Sequence, residues 1–146
     1  MVTEVYVSFE TAKLLKEKGF DYYPDGSYWL IDANNVMYWV SEIGAYDYVD
    51  VPTESFQRPK NGYRLVTQAM AMKWLREKHG LFINLYPEFG DVEIAWNPGD
   101  FEEDMIGYKI TIIDLNYGEL KYKTLIKHNY EEACETAIKY CLENLI

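Results

Sequence analysis

The chain has 146 residues, of which 49% are hydrophobic and 26% are charged, and its formal net charge is −10. This length fits a single domain over residues 1–146, which can bury about 70% of its unfolded surface without disulfides or metals. The acidity and the lack of a basic stripe argue against direct binding to nucleic acid, because clustered Lys and Arg are needed to neutralise phosphates.

The first part of the chain predicts a helix followed by strands. Ser8 can cap a helix that ends at Gly19, since glycine tolerates the left-handed backbone found after many helices. The aromatic runs in YYPDGSYWLI and VMYWV predict a three-stranded antiparallel meander over residues 20–40. Pro-Asp-Gly at residues 24–26 and Asn-Asn at residues 34–35 supply its turns.

Residues 41–65 predict a long irregular loop with a short helical turn near residues 53–56. Its length favours a functional surface, since long loops without secondary structure are uncommon in compact domains.

The segment TQAMAMKWLREKHG, at residues 67–80, predicts the second helix. Thr67 is its N-terminal cap and Gly80 its end. One helix face is apolar and consists of Met70, Ala71, Trp74 and Leu75. His79 lies in the last turn, where its protonated form would favour the helix dipole. The segment is therefore interpreted as core packing with a charged, solvated side.

The second half predicts four strands and a final helix. The strands are expected at residues 81–86, 91–96, 107–115 and 120–126. PEFG and NYGE are expected as turns, and NPGDFEEDMIG, residues 97–107, as a loop. Asn129 can cap the helix. Its apolar stripe consists of Ala133, Ala137, Ile138, Cys141, Leu142 and Leu145.

Together these elements predict an α+β fold in which three amphipathic helices pack on antiparallel strands. KLLKEK at residues 13–18 resembles KWLREK at residues 73–78, and each is followed by glycine and then by predicted strands. One interpretation is a duplicated helix-plus-meander unit with an added C-terminal helix. The other is convergence, because the ends of amphipathic helices often share such patterns. The sequence leaves both open.

The compartment is predicted from targeting signals and cysteines. MVTEVYVSFE lacks a signal-peptide pattern, and the sequence has no apolar run of about 18 residues. Cys134 and Cys141 lie about 10 Å apart along one predicted helix, which is too far for a mutual disulfide. A cytoplasmic protein without a membrane segment is expected.

Catalytic and metal-binding patterns are weak. The acidic residues Asp91, Glu93, Asp100, Glu102, Glu103 and Asp104 lack EF-hand spacing and are interpreted as a solvated surface. His79 and His128 are the only histidines, and the sequence contains no G-x-S-x-G motif and no zinc-ligand spacing. We therefore predict no catalytic residue, no metal and no cofactor.

The excess of aromatic residues is the clearest functional signal, with 14 Tyr and 4 Trp. Such rings either cover half-buried strands or form a surface that binds a peptide or a sugar. The candidate interaction surface consists of Tyr22, Tyr23, Tyr28, Trp29, Tyr46 and Tyr48.

Three segments resemble a known family. They are YVSFETAKLLKEKGFD, TQAMAMKWLREKHG and NYEEACETAIKYCLENLI, and they are similar to small uncharacterised proteins encoded by phages, prophages and mobile elements of gut bacteria. That family tends to have Pro-Thr before the middle helix, where this chain has Val66-Thr67. The resemblance implies a mobile-element origin and a host cytoplasm, but no activity and no catalytic residues.

These observations predict a non-enzymatic interaction module that binds a host or phage protein. Two alternatives stay open. One is an acidic mimic of nucleic acid that inhibits a nucleic-acid enzyme, and the other is an enzyme whose site is assembled from distant residues. The sequence does not predict the oligomeric state.

Overall fold

The computed structural model describes residues 4–40, 62–126 and 129–146, which form three α-helices and two three-stranded antiparallel sheets. This confirms the α+β class. The elements are α1 (Phe9–Glu17), β1 (Tyr28–Ile31), β2 (Met37–Val40), β3 (Tyr63–Arg64), α2 (Gln68–His79), β4 (Leu81–Glu93), β5 (Phe101–Asp114), β6 (Glu119–Ile126) and α3 (Tyr130–Tyr140), and a π-helical turn over Cys141–Leu145 extends α3.

The helix boundaries follow the predicted caps. The side chains of Ser8, Thr67 and Asn129 each accept a hydrogen bond from a backbone N–H three residues further along the chain, at 3.2, 3.1 and 2.8 Å. Gly19 and Gly80 follow α1 and α2 with φ of +89° and +65°, in the left-handed region that favours glycine. Local chemistry therefore fixes where these helices begin and end.

The first sheet has the strand order β2-β1-β3. Its hairpin turns at the predicted asparagines: Asn35 has φ of +60°, and the Asp32 carboxylate accepts hydrogen bonds from the N–H groups of Asn34 and Val36, both at 2.9 Å. The three-stranded meander over residues 20–40 is wrong, because this range contains β1 and β2 alone, and the third strand, β3, lies within the segment 41–65 that was predicted to be irregular. The predicted helical turn at residues 53–56 lies outside the described residues.

The second sheet has the order β4-β5-β6. The predicted turn at PEFG is wrong, since β4 runs unbroken through Pro87 and Gly90. β4 is an edge strand of this sheet, where a proline can leave its missing N–H on the open side. The predicted loop over residues 97–107 is also wrong for its later part, because β5 begins at Phe101. The chain turns at residues 94–100, where Ile94 N–H donates to the Asp100 carbonyl at 2.9 Å.

The two sheets differ in topology. In the first sheet the central strand is β1, the first of its three strands along the chain. In the second sheet the central strand is β5, the second of its three strands along the chain. The similar sequences of α1 and α2 therefore precede sheets of different strand order, and the two halves do not repeat one topology.

The helices pack on one side of the second sheet, which we call its inner face. α2 contacts β4, and α3 contacts both β4 and β5. On this face Tyr108 makes an edge contact with Tyr130 of α3, and Tyr122 stacks on Tyr140 with centroids 3.7 Å apart. One hydrophobic cluster joins these elements to α1 and to the first sheet. Its members from α2 and α3 match the predicted stripes, in which Met70 and Leu145 are only partly buried.

Replacing Trp74 with alanine tests this core. Trp74 is 2% exposed and its ring packs 5.4 Å from that of Phe20. We expect Trp74→Ala to lower the free energy of unfolding by about 3–5 kcal/mol, because the truncation leaves a cavity. Chemical denaturation monitored by circular dichroism measures the change. Trp96→Ala is the matched control, since Trp96 is 82% exposed, and it should shift stability by less than about 0.5 kcal/mol. An unchanged midpoint for Trp74→Ala would contradict the assignment.

Candidate functional site

An aromatic cleft lies between the first sheet and the start of α2. Its cavity has a volume of about 270 Å³, and Thr67 and Met70 of the α2 start contribute to its wall. Its rings, which we call the aromatic lining, are those of Tyr6, Phe20, Tyr22, Tyr23, Tyr28, Trp29 and Trp39.

The lining is held in place by packing between the rings themselves. Trp29 and Trp39 face each other across β1 and β2, and their centroids are 5.2 Å apart. Phe20 is 3% exposed and meets Tyr23 edge-on at 4.9 Å and Trp74 at 5.4 Å. Phe20 therefore connects the cleft to the hydrophobic core, and the cleft is preformed.

Arg64 supplies a positive charge to the cleft. Its guanidinium lies 4.1 Å from the centroid of Tyr28 and 5.0 Å from that of Tyr23, and it donates a hydrogen bond to the Pro24 carbonyl. These cation–π contacts hold the planar group against the two rings. Within residues 4–40, 62–126 and 129–146, no carboxylate forms an ion pair with Arg64.

A second cavity, of about 310 Å³, shares a wall with the cleft. Tyr23, Tyr28 and Arg64 line both cavities, whereas Lys16 and Tyr63 line the second cavity but not the cleft. The stacked rings and guanidinium therefore form a ridge between two depressions. A ligand that crosses this ridge would contact Arg64 from both sides.

Two groups add polarity around the cleft. Tyr22 Oη donates a hydrogen bond to Glu77 Oε2 at 3.0 Å; desolvation, followed by this carboxylate, raises the pKa of Tyr22. Glu4 contributes to the cleft wall. The phenol of Tyr22 is thus neutral at physiological pH, and the cleft is lined by rings, the Arg64 cation, the Glu4 carboxylate and a few hydrogen-bonding groups.

The cleft brings together four residues of the candidate interaction surface: Tyr22, Tyr23, Tyr28 and Trp29. Tyr46 and Tyr48 lie outside the described residues. Four contributors, Tyr6, Phe20, Trp39 and Arg64, were not predicted from the sequence. The hairpin register that places Trp39 opposite Trp29 could have revealed one of them, whereas Tyr6 and Arg64 arrive from distant parts of the chain.

The acidic residues of β4, β5 and their turn form no metal centre in the described parts of the chain, where no group of three or more metal-binding side chains converges. Glu93 accepts a hydrogen bond from Gly99 N–H at 2.9 Å, and Asn97 donates one to Asp100. These two carboxylates stabilise the turn at residues 94–100.

Both thiols are buried, and His79 is half-buried next to Trp74. Burial raises the pKa of Cys134 to about 11 and that of Cys141 to about 12, so both thiols stay protonated and poorly nucleophilic at neutral pH. His79 lies edge-on to Trp74 at 4.6 Å, and burial lowers its pKa below the ordinary 6.5. The neutral imidazole is therefore favoured, contrary to the expected stabilisation of its protonated form. His128 lies outside the described residues.

The lowered pKa of His79 predicts a pH dependence. In the unfolded chain the imidazole of His79 binds a proton below about pH 6.5, whereas in the folded protein it binds one only at a lower pH. The free energy of unfolding is therefore highest above pH 6.5 and decreases as the pH falls below this value. An NMR titration, with His128→Gln to assign the signals, should give a midpoint below 6.5 for His79. His79→Gln should show a weaker loss of stability on acidification. A midpoint at or above 6.5 would overturn the assignment.

Comparison with protein-family models, with curated proteins and with solved structures gave no match. The resemblance to mobile-element proteins and the alternative of nucleic-acid mimicry therefore stay predictions from the sequence. Among the described residues, none of the helices combines the length and the apolar character required to cross a bilayer.

Proposed function

We propose that the chain is a non-enzymatic interaction module that binds a segment of a host or phage protein in the aromatic cleft. The observation that carries the proposal is the convergence of the aromatic lining and Arg64 around one cavity. Rigid rings supply a large contact area at low entropic cost, which is why Tyr, Trp and Arg dominate the energetics of many interfaces.

The size of the cleft favours side chains of a peptide segment over a large cofactor. Its volume of about 270 Å³ lies at the lower limit of small-molecule sites, which span about 300–1,000 Å³. The neighbouring cavity of about 310 Å³ lies just across the ridge. An extended segment can place one apolar side chain in each depression, since alternate residues of a strand lie about 7 Å apart.

Arg64 indicates the chemistry of the segment. The rings of Tyr23 and Tyr28 hold its guanidinium at the ridge, where a carboxylate of the ligand can accept charge-assisted hydrogen bonds. The ligand is therefore an extended peptide segment with an aromatic or aliphatic anchor next to an Asp, a Glu or a C-terminal carboxylate.

Selection from a displayed random-peptide library tests this function. We expect wild-type protein to enrich sequences that combine an apolar anchor with a carboxylate. Trp29→Ala should weaken their binding at least about tenfold, which is about 1.4 kcal/mol, and Arg64→Gln should weaken the carboxylate-containing sequences most.

Two variants serve as matched controls. Trp96 lies in the turn between β4 and β5, and Arg76 is an exposed residue of α2, so neither lines the aromatic cleft. Trp96→Ala and Arg76→Gln should bind the selected peptides like wild type, with unchanged circular dichroism in every variant. If nothing is enriched, or if the peptides bind Trp29→Ala as well as wild type, the proposed function fails.

A further inference from the structure

The outer face of the second sheet, which points away from the helices, carries exposed apolar side chains. Side chains alternate between the two faces of a strand, so the neighbours of the inner residues Tyr108 and Tyr122 point outward. The contact of Lys109 Nζ with the ring of Tyr86, at 6.0 Å, lies on this side. Its apolar residues with 36–55% exposure are Phe82, Val92, Leu120 and Leu125.

Part of this face belongs to a two-stranded arm, formed where β4 and β5 continue past the end of β6. Within the described residues, the pairing of β6 with β5 extends to Tyr108, so residues 88–107 form a two-stranded arm of β4 and β5 beyond it. The arm contains no Lys or Arg. Its acidic residues are Glu88, Asp91, Glu93, Asp100, Glu102, Glu103 and Asp104. Two-stranded ribbons are marginally stable alone, so a covering partner would stabilise the arm.

Charges on the outer face are arranged symmetrically about the row where Glu88 pairs with Gly107. Only rows whose side chains face outward are counted. Toward the start of β4, the first such row pairs Tyr86 with Lys109, and the next places Lys123 of β6 beside Thr111. On the other side, the first row contains Asp104, paired with Gly90, and the next contains Glu102, paired with Val92. Two cations thus precede the central row and two anions follow it, at equal spacing along β4, whereas on β5 the register shift between Glu88 and Phe89 adds one residue between Gly107 and Asp104.

We propose that this outer face binds the same face of a second copy of the chain about a two-fold axis at the Glu88 row. The axis keeps β5 over β5, so it places Lys109 opposite Asp104 of the second copy, and Lys123 of the neighbouring strand β6 about one strand spacing, ~4.8 Å, from its Glu102. The two-fold axis repeats both pairs, and their attraction must exceed the repulsion between the two Glu88 carboxylates at the axis. Sheets that pack face to face lie about 10 Å apart, a gap that lysine side chains span. Such an isologous contact closes at two copies.

The occupant is a second copy because both complementary surfaces are present on this chain with matching spacing. Leu120 and Leu125 flank the lysines and add apolar area. The contact is independent of the aromatic cleft, which lies between the first sheet and α2.

Sedimentation velocity on the full chain tests the dimer, with two charge-reversed variants. Lys109→Glu with Lys123→Glu reverses the cationic side, and Glu102→Lys with Asp104→Lys reverses the arm. Each variant should be monomeric or dimerise more than about tenfold more weakly, because like charges then face each other. The wild-type dimer should also weaken as NaCl rises from about 50 to about 500 mM, since salt screens exposed charges.

Mixing the two variants gives the sharpest result. In a mixed pair, the unchanged anionic arm of the lysine-to-glutamate variant faces the unchanged Lys109 and Lys123 of the other variant. The new glutamates of the first variant face the new lysines of the second, so two monomeric proteins should form a heterodimer. Lys13→Glu with Lys73→Glu, which changes exposed lysines of α1 and α2, is the matched control and should dimerise like wild type. Circular dichroism verifies folding.

Three outcomes would overturn the proposal: a wild-type monomer at about 100 µM in low salt, charge-reversed variants that still dimerise like wild type, or a mixture of folded variants that stays monomeric. None of these results bears on peptide binding by Trp29 and Arg64, so failure of the dimer and failure of the proposed function are distinguishable.

Discussion

The packing of α3 against four other elements is the constraint on which the rest of the structure depends. α3 contacts α1, α2, β4 and β5, and its small side chains Ala133 and Ala137 are fully buried, which permits close approach. Glu135 adds a polar link, because its carboxylate accepts hydrogen bonds from Ser8 N–H at 3.0 Å and from Thr11 Oγ1 at 2.5 Å. The last helix of the chain thereby holds the start of the first.

Once α1 and α2 are fixed, the segment between α1 and β1 has a defined path over the core. Phe20 contacts both Trp74 of the core and Tyr23 of the cleft, so the rings of the aromatic cleft pack against buried core residues. Preorganised rings bind without the cost of ordering side chains at the interface. The aromatic cleft is therefore a direct extension of the hydrophobic core.

Prediction from the sequence succeeded where the deciding interactions are local. Ser8, Thr67 and Asn129 cap the helices that follow them, and the turn at Asn35 forms because asparagine tolerates a left-handed backbone. Prediction failed at Pro87, where PEFG has the composition of a turn but lies within a strand. A proline disrupts a strand only where a neighbouring strand requires a hydrogen bond from the N–H group that proline lacks. The local sequence does not specify whether such a neighbouring strand is present.

Spacing and side-chain type act within a few residues, so they were enough to predict the helices, their caps, most of their buried stripes and four rings of the candidate site. Only the tertiary structure decided the order of the strands, the contribution of β3 to the first sheet and the entry of Arg64 between Tyr23 and Tyr28. The position of β3 and the entry of Arg64 depend on contacts between residues more than about 30 positions apart, and such contacts form only when helices and sheets compete to bury the same apolar faces.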